Sequence, residues 1–171
     1  MDFVNYYESP LGKITLSSDG TKLTGLCFFD QNNYAGTMDS PHSEKELPVF
    51  TLAKSWLAIY FAGRCPNFSP EITFKGTAFQ ERVWNELQKI PYGQTTTYGE
   101  IAKRLAAEQG QRHMSAQAVG RAVGHNPIAI IIPCHRIIGS GGKLTGYSGG
   151  LERKEKLLLL ERVDSLQTGT M

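Results

Sequence analysis

A thiol, an imidazole and a guanidinium follow one another at Cys134, His135 and Arg136. The thiolate is the nucleophilic form of cysteine and neighbouring positive charge stabilises it, so this order of residues predicts a reactive Cys134. The other two cysteines, Cys27 and Cys65, are better explained as small packed side chains. Spacings of 38 and 69 residues between the three cysteines match neither a zinc site nor a disulfide framework, and we expect no metal site.

The residues ahead of Cys134 predict the element that positions it. Isoleucines at positions 128, 130, 131 and 132 form a β-branched run typical of a strand buried on both faces, although so short a run does not exclude a helix. Pro133 ends the run because proline cannot donate to a sheet. Adjacent residues of an extended chain point to opposite faces, so Cys134 and His135 need a bend or a bridging water to communicate.

The composition is that of a globular protein with one good core or two small ones. The chain has 171 residues, of which 40% are hydrophobic and 20% are charged. No apolar run is long enough to cross a bilayer, and residues 1–5 do not resemble a secretion signal, so we expect a cytoplasmic protein. The net charge is −2 over residues 1–75 and +4 over residues 76–171. A charged face exposed to solvent explains this mild asymmetry almost as well as a phosphate-binding face does.

The N-terminal part of the chain predicts a sheet with one helix packed on it. Alternating polar and apolar residues on both sides of Asp19-Gly20 indicate a β-hairpin. Ser43 with Glu46 has the spacing of a capping box, which predicts a helix that runs until Gly63. A segment rich in breakers then leads to a short strand over residues 72–74. We expect two domains, 1–75 and 76–171, with no chemistry in the first.

Three helices are predicted in the second domain. Thr77 with Gln80, and Thr97 with Glu100, have capping-box spacing; they predict a helix that ends before Pro91 and a second helix over residues 98–107. A third helix is expected over residues 115–123, with Gly124 at its C-terminal cap. The last two helices form a helix-turn-helix, a pattern shared by DNA-binding pairs and by structural helical hairpins.

The ordered motifs between about Phe79 and Glu161 resemble those of the O6-alkylguanine-DNA alkyltransferases, which are self-inactivating DNA repair proteins. These motifs are Asn126-Pro127, Pro133-Cys134-His135-Arg136, Gly146-Tyr147-Ser148-Gly149-Gly150, Lys154-Glu155, and Leu157-Leu158 ahead of Glu161. The resemblance implies an α/β (α+β) fold class: an N-terminal ribonuclease-H-like α/β domain, and a C-terminal winged-helix-like domain that contains the helix-turn-helix.

The resemblance also implies an activity and its catalytic residues. Methyl and other alkyl groups would pass irreversibly from O6 of guanine, and from O4 of thymine, in duplex DNA to Cys134. His135 would act on the thiol through a water, oriented by Glu161, and Tyr98 would donate to the leaving oxygen. Asn126 would form the turn that fixes the last helix of the pair against the isoleucine run by side-chain-to-backbone bonds. No cofactor is implied, and we expect a monomer that binds damaged duplex DNA and no membrane.

The expected DNA-contacting residues lie on the last helix of the pair and on the loops after Cys134. In the family this helix enters the minor groove, and small side chains suit that narrow groove. Gln117 stands where the family has an intercalating arginine, which is a departure from its pattern. The full set is Ser115, Gln117, Ala118, Arg121, Arg136, Ile137, Tyr147, Ser148 and Gly149, of which Arg121 would meet phosphate and the last three would cover the flipped base. Arg136 could instead be structural, paired with a buried carboxylate or carbonyl.

Two other classes of protein fit parts of the pattern. A thiol hydrolase or peptidase would use Cys134, His135 and Asn126, would turn over and would need no DNA. A DNA-binding module without enzymatic activity would only sense alkylated bases, and the presence of Cys134 disfavours this reading.

Overall fold

The computed structural model describes residues 2–31 and 42–162, except for the side chain of residue 42, and it divides into two compact units. Unit 1 comprises Met1–Phe74 and Pro127–Ile131; unit 2 comprises Lys75–Asn126 and Ile132–Met171. The short segment 127–131 in unit 1 is not part of the contiguous two-domain division predicted from the sequence.

Unit 1 is a four-stranded sheet with one helix. The strands are β1 (Asp2–Ser9), β2 (Gly12–Ser18), β3 (Leu23–Phe28) and β4 (His42–Glu44), in the sheet order β3-β2-β1-β4. The two hairpin pairs are antiparallel, whereas β4 lies parallel to β1. The helix α1 (Pro48–Phe61) buries one face, which includes Phe50, Leu57 and Tyr60.

The predicted hairpin around Asp19-Gly20 is confirmed. The Asp19 carboxylate accepts hydrogen bonds from the backbone N–H groups of Thr21 and Lys22, both at 2.9 Å. Gly20 has φ of 110°, a conformation that other residues rarely adopt. The turn is therefore specified by residues next to one another in the sequence, which is why its position was predictable.

Two predictions for unit 1 are wrong. Ser43 does not cap a helix but lies in β4, and α1 begins at Pro48, whose fixed φ and missing N–H suit the first helical turn. Residues 72–74 form no strand; Ile72 makes a single isolated bridge to Leu23.

The isoleucine run before Cys134 is also not a strand. Ile128 makes one isolated bridge to Leu26, whose backbone bonds to Pro127 and Ala129 at 3.0 and 2.9 Å. The chain then turns at Ile130, which has φ of 69°, and a left-handed residue cannot continue an extended strand. Most of the run is nevertheless buried as expected, so its apolar character reports burial but not conformation.

Unit 2 is a helical unit with a small parallel ladder. Its helices are α2 (Ala78–Leu87), α3 (Tyr98–Glu108), α4 (Ala116–Gly124) and α5 (Leu151–Leu160), and its strands are β5 (Thr96–Thr97) and β6 (Ile137–Ile138). The three predicted helices and the helix-turn-helix formed by α3 and α4 are confirmed. A hydrogen bond of 2.8 Å from Trp84 Nε1 to the carbonyl of Ala122 joins α2 to α4.

Local hydrogen bonds set the starts of these helices. Thr77 and Gln80 form the predicted reciprocal capping box, and the Thr97 hydroxyl accepts from the backbone N–H of Glu100 at 3.1 Å. Ser115 caps α4 in the same way. The prediction for Gly124 is wrong, because it is the last residue of α4 and His125 takes the cap position. Within residues 2–31 and 42–162, no helix combines the length and apolar character that crossing a membrane requires.

Candidate active site

Cys134 opens a single turn of 3-10 helix that spans Cys134–Arg136. Two backbone hydrogen bonds make this turn: Cys134 N–H donates to the carbonyl of Ile132 at 2.8 Å, and Arg136 N–H donates to that of Pro133 at 3.0 Å. Asn126 Nδ2 donates to the same Ile132 carbonyl at 2.8 Å. The turn is thus the bend that the sequence required between Cys134 and His135, and Asn126 helps to fix its start.

His135, Arg136 and Glu161 form a buried ionic cluster. His135 Nε2 lies 2.6 Å from Glu161 Oε2, and Arg136 donates from Nε to Oε1 at 2.8 Å and from Nη2 to Oε2 at 3.2 Å. Gly93 N–H donates to Oε1 at 3.0 Å, and Arg136 Nη1 donates to the carbonyl of Ile90 at 2.7 Å. His135 is 0% exposed and Glu161 is 3% exposed, so the carboxylate is held by four donors away from water.

The charges of this cluster define the state of the imidazole. Burial alone would raise the pKa of Glu161, but the hydrogen bonds and charges of His135 and Arg136 overcome it and lower that pKa to about 2. Burial lowers the pKa of His135, and the Glu161 carboxylate only partly opposes this effect. A neutral imidazole that donates from Nε2 to an ionised carboxylate has Nδ1 as its basic nitrogen. His135 can therefore accept a proton, and Glu161 stabilises the cation that results.

The environment of Cys134 differs from the sequence-based expectation. The residue is 6% exposed, and burial raises the pKa of its thiol, which keeps the proton on sulfur at rest. A hydrogen bond with Asn126 and the charge of Lys154 oppose that increase. The adjacent residues His135 and Arg136 do not act in this way because both are directed to Glu161. The prediction that they stabilise the thiolate is wrong, and Lys154 is the cation that does so.

The sequence analysis does not predict that Lys154 is buried beside Cys134. Its side chain is fully buried, with Nζ 2.6 Å from the carbonyl of Thr145 and 3.2 Å from that of Gly146. Burial lowers its pKa to about 8, against a smaller opposite effect of Cys134. A signal was present: Lys154 lies three and four residues before Leu157 and Leu158, so it occupies the apolar face of α5.

A cavity of about 210 Å³ opens beside Cys134. Burial raises the pKa of both Tyr98 and Tyr147 in its wall, so both phenols stay protonated and can donate. Thr145 Oγ1 donates to Tyr98 Oη at 3.4 Å, and Ser148 Oγ donates to the carbonyl of Gly124 at 2.9 Å. The lining consists of Tyr98, Gly120, Val123, Gly124, Cys134, Gly146, Tyr147 and Ser148.

The other predicted DNA contacts divide into two groups. Gln117 and Arg121 are exposed on α4, Ser115 is exposed at its N-cap, and Ala118 is half-buried on the helix. None of these four residues lines the cavity. Gly149 is half-buried and its carbonyl accepts from Arg153 at 3.2 Å.

Two residues of the predicted set do not lie on a surface that DNA could touch. Ile137 is 0% exposed and is paired with Thr96 in the β5-β6 ladder. Arg136 is buried with Glu161, which is the structural alternative that the sequence left open. The prediction that Ile137 and Arg136 contact DNA is therefore wrong.

The arrangement does not match that of a thiol hydrolase. His135 is oriented by Glu161 and not by Asn126, whose amide is bonded to the Ile132 carbonyl. Among the described residues, no group of three or more His, Cys, Asp or Glu side chains could hold a metal ion. The described cysteines Cys27, Cys65 and Cys134 form no disulfide with one another. Cys27 is buried as predicted, whereas Cys65 is exposed, so the prediction that it is a packed side chain is wrong.

An α/β unit together with a helix-turn-helix unit that buries a cysteine beside an oriented histidine defines a recognisable class of protein. The family model of the 6-O-methylguanine DNA methyltransferase ribonuclease-like domain matches residues 3–74. That of the 6-O-methylguanine DNA methyltransferase DNA binding domain matches residues 78–163. The chain belongs to the 6-O-methylguanine DNA methyltransferase family, which confirms the resemblance and the predicted fold class.

Individual relatives match over most of the chain. It is 47% identical over 158 residues to the methylated-DNA--protein-cysteine methyltransferase of Mycolicibacterium paratuberculosis, covering 91% of this chain and 89% of the relative. Identity to the protein of the same name from Haemophilus influenzae is 44% over 170 residues, with 98% and 90% covered. The solved structure of Mycobacterium tuberculosis OGT in complex with DNA superposes with a TM-score of 0.82 at 44% identity, covering 94% of this chain and 92% of that chain.

Proposed function

We propose that this protein repairs DNA by direct reversal, transferring methyl and other alkyl groups from O6 of guanine in duplex DNA to Cys134. The observation that carries the proposal is a buried cysteine in the wall of a cavity, next to a histidine oriented by an ionised carboxylate, in a unit with a helix-turn-helix. The relatives named above act on methylated DNA and a protein cysteine, as their names state.

The chemistry is a single displacement at an alkyl carbon. The Cys134 thiol gives up its proton towards His135, through a water, and the thiolate attacks the alkyl carbon in line. A carbon–sulfur bond forms, the bond from carbon to O6 breaks, and its electron pair stays with the guanine. The restored guanine takes up a proton from the Tyr98 phenol, and the proton that His135 received then restores the phenol by way of water. A thioether is not hydrolysed at neutral pH, so each molecule acts once.

The positions of Lys154 and Glu161 explain how the thiol can be neutral at rest and still react as a thiolate. Burial keeps the proton on sulfur while the cavity is empty, and Lys154 lowers the cost of the thiolate when the proton leaves. Glu161 stabilises the imidazolium that forms on the other side of the transfer. The two new charges thus each have a partner of opposite sign held in place beforehand.

The helix-turn-helix supplies the contact with DNA. A base within a duplex exposes too little of its O6 substituent for an in-line attack, so the damaged nucleotide is flipped into the cavity, between Tyr147 and the Cys134 turn. The small residues of α4 bring its backbone close to the minor groove, with Gln117 in the space that the nucleotide leaves and Arg121 at phosphate. O4-alkylthymine is a further substrate, and the protein acts as a monomer in the cytoplasm without a cofactor.

Mass spectrometry of the intact protein tests the proposal. After mixing with duplex oligonucleotide that contains O6-methylguanine, one CH₂ unit should be added per protein, and peptide mapping should place it on Cys134. The exposed Cys65 is an internal control, because it is more accessible than Cys134 but lacks the site, and it should remain unmodified. A Cys134→Ala variant that still removes the methyl group from the DNA would refute the proposal. Intact lesions with bound DNA would instead support the sensor function.

A further inference from the structure

The turn between α3 and α4 is hydrogen-bonded at both of its ends. At the end of α3, Gln111 N–H donates to the carbonyl of Ala106 at 2.8 Å and Gly110 N–H donates to that of Ala107 at 3.2 Å. With Gly110 at φ of 66°, these bonds form a Schellman motif. Ser115 then caps α4. Between these two anchors the turn presents Arg112 as an exposed side chain.

A groove of about 420 Å³ separates this turn from α3. The side of α3 that lines it carries small uncharged residues, Gly99, Ala102, Ala106 and Ala107. The formal charges in its lining are both positive, with Lys103 on the α3 side and Arg112 on the side of the turn. The nearest carboxylate of Lys103 belongs to Glu100 at 3.8 Å, whereas Arg112 makes no salt bridge among the described residues.

The chain around the turn has a one-sided charge. Residues 109–151 contain four Lys and Arg and no Asp or Glu. Of the four basic residues, Arg136 is buried against Glu161, while Arg112, Arg121 and Lys143 are exposed. A stretch of chain with three exposed cations and no acidic residue favours contact with a polyanion.

We propose that Arg112 binds a backbone phosphate of duplex DNA, outside the lesion site, with the sugar-phosphate chain in the groove between the turn and α3. The inference rests on the proposed function, since it concerns the same DNA. A guanidinium can donate two parallel hydrogen bonds to one phosphate, and an uncharged floor of small side chains lets the backbone approach. Gln117 adds no charge on α4, and Arg112 supplies a cation five residues earlier. The contact adds affinity for any sequence but no selectivity for the damaged base.

The salt dependence of binding tests this contact directly. Affinity for an undamaged, fluorescein-labelled duplex is measured by anisotropy at a series of NaCl concentrations for the full-length protein and for Arg112→Ala. Each phosphate contact contributes about 0.9 to the slope of log K against log salt, so the variant should lose about that much slope. If the two proteins bind the duplex equally well at 1 M salt, this difference in slope makes the affinity of the variant about eight-fold weaker than that of the wild type at 0.1 M salt.

Three matched measurements separate the possible results. Arg112→Lys, which keeps the charge, should recover most of the slope, and Arg64→Ala, which removes an exposed cation of unit 1, should leave it unchanged. At saturating DNA the methyl transfer rate of Arg112→Ala should equal that of the wild type. An unchanged slope in Arg112→Ala, with wild-type binding and transfer intact, would overturn the contact and leave the proposed function standing. A wild type that neither binds the duplex nor takes up methyl would overturn both.

Discussion

Glu161→Gln removes one negative charge from the cluster with His135 and Arg136 while it leaves the side chain almost unchanged in size. The pKa of the Glu161 carboxyl is about 2 in the folded protein, compared with an ordinary value of 4.5. One pKa unit corresponds to about 1.4 kcal/mol, so the ionised carboxylate contributes about 3 kcal/mol to folding near neutral pH. We expect Glu161→Gln to lower the free energy of unfolding at pH 7 by about that amount, because it leaves the Arg136 guanidinium buried without its anion.

The sign of this contribution predicts how it changes with pH. Since the folded pKa lies below the unfolded one, the stabilisation is fully present above pH 4.5 and is lost as the pH falls towards 2. At pH 3 the wild-type advantage over Glu161→Gln should have decreased to between about 1 and 2 kcal/mol. At pH 3 the folded carboxyl is still mostly ionised, and the decrease arises because the same carboxyl is already protonated in the unfolded chain.

Urea denaturation at pH 7 and at pH 3 measures both quantities. The chain has two tryptophans, and a Trp56→Phe background leaves Trp84 of unit 2 as the fluorescent reporter. Glu152→Gln is the matched control, because Glu152 is an exposed residue of α5 that pairs with the exposed Lys156, and it should change stability much less. A difference between wild type and Glu161→Gln that is as large at pH 3 as at pH 7 would refute the electrostatic explanation.

Two further substitutions test single hydrogen bonds of the site. Asn126→Ala removes one of the two donors to the buried carbonyl of Ile132, the other being the Cys134 N–H, so it should lower the free energy of unfolding by about 1 kcal/mol and slow methyl transfer, as measured by urea denaturation and by single-turnover kinetics. Tyr98→Phe keeps the ring but removes the phenolic proton, so the transfer rate at saturating DNA should fall by roughly 100-fold while affinity for undamaged duplex stays the same.

Each of these substitutions has a result that would contradict its rationale. For Asn126, the exposed Asn85→Ala is the control, and equal stability of the two variants would show that the Ile132 carbonyl does not depend on the amide. For Tyr98, a wild-type transfer rate in the phenylalanine variant would remove the phenol from the reaction and leave it a packing role against Gly120.

Elements with short-range determinants were predictable from the sequence. The starts of α2, α3 and α4 follow from Thr77, Thr97 and Ser115, each of which bonds to a backbone N–H three residues later. The Asp19-Gly20 turn is specified in the same local way. Because these hydrogen bonds close within a few residues, the pattern of residue types contains nearly all the information needed to place them.

The features that the sequence does not predict depend on contacts between residues far apart in the chain. For Arg136 the sequence leaves open the thiol, the DNA or a buried carboxylate or carbonyl, and it does not identify the actual partner, Glu161, which is 25 residues further on. Lys154 lies in the sequence like any charged helix residue, and only the fold brings it to the loop beside Cys134. At Ile130 the β-branched residue type predicts an extended conformation, but the chain reverses there. Tertiary contacts override local preference at each of these three positions.

The prediction of which residues lie around Cys134 depends on the family resemblance. Spacing alone could not select Glu161 over the other glutamates of the last helix, whereas the structure places it 2.6 Å from His135. The motifs likewise predict Tyr98, Tyr147 and Ser148 as site residues, and all three line one cavity with Cys134.

The assignment of residues 127–131 to unit 1 has a consequence for biosynthesis. Leu26, in the third strand, bonds through its backbone to Pro127 and Ala129, about one hundred residues later. On the ribosome, unit 1 cannot be completed until residue 131 of the 171 has emerged, by which time α2, α3 and α4 of unit 2 have already been synthesised. Unit 1 therefore cannot finish folding before the synthesis of unit 2 is well advanced. Cys134 becomes part of its turn only when most of the chain has been synthesised.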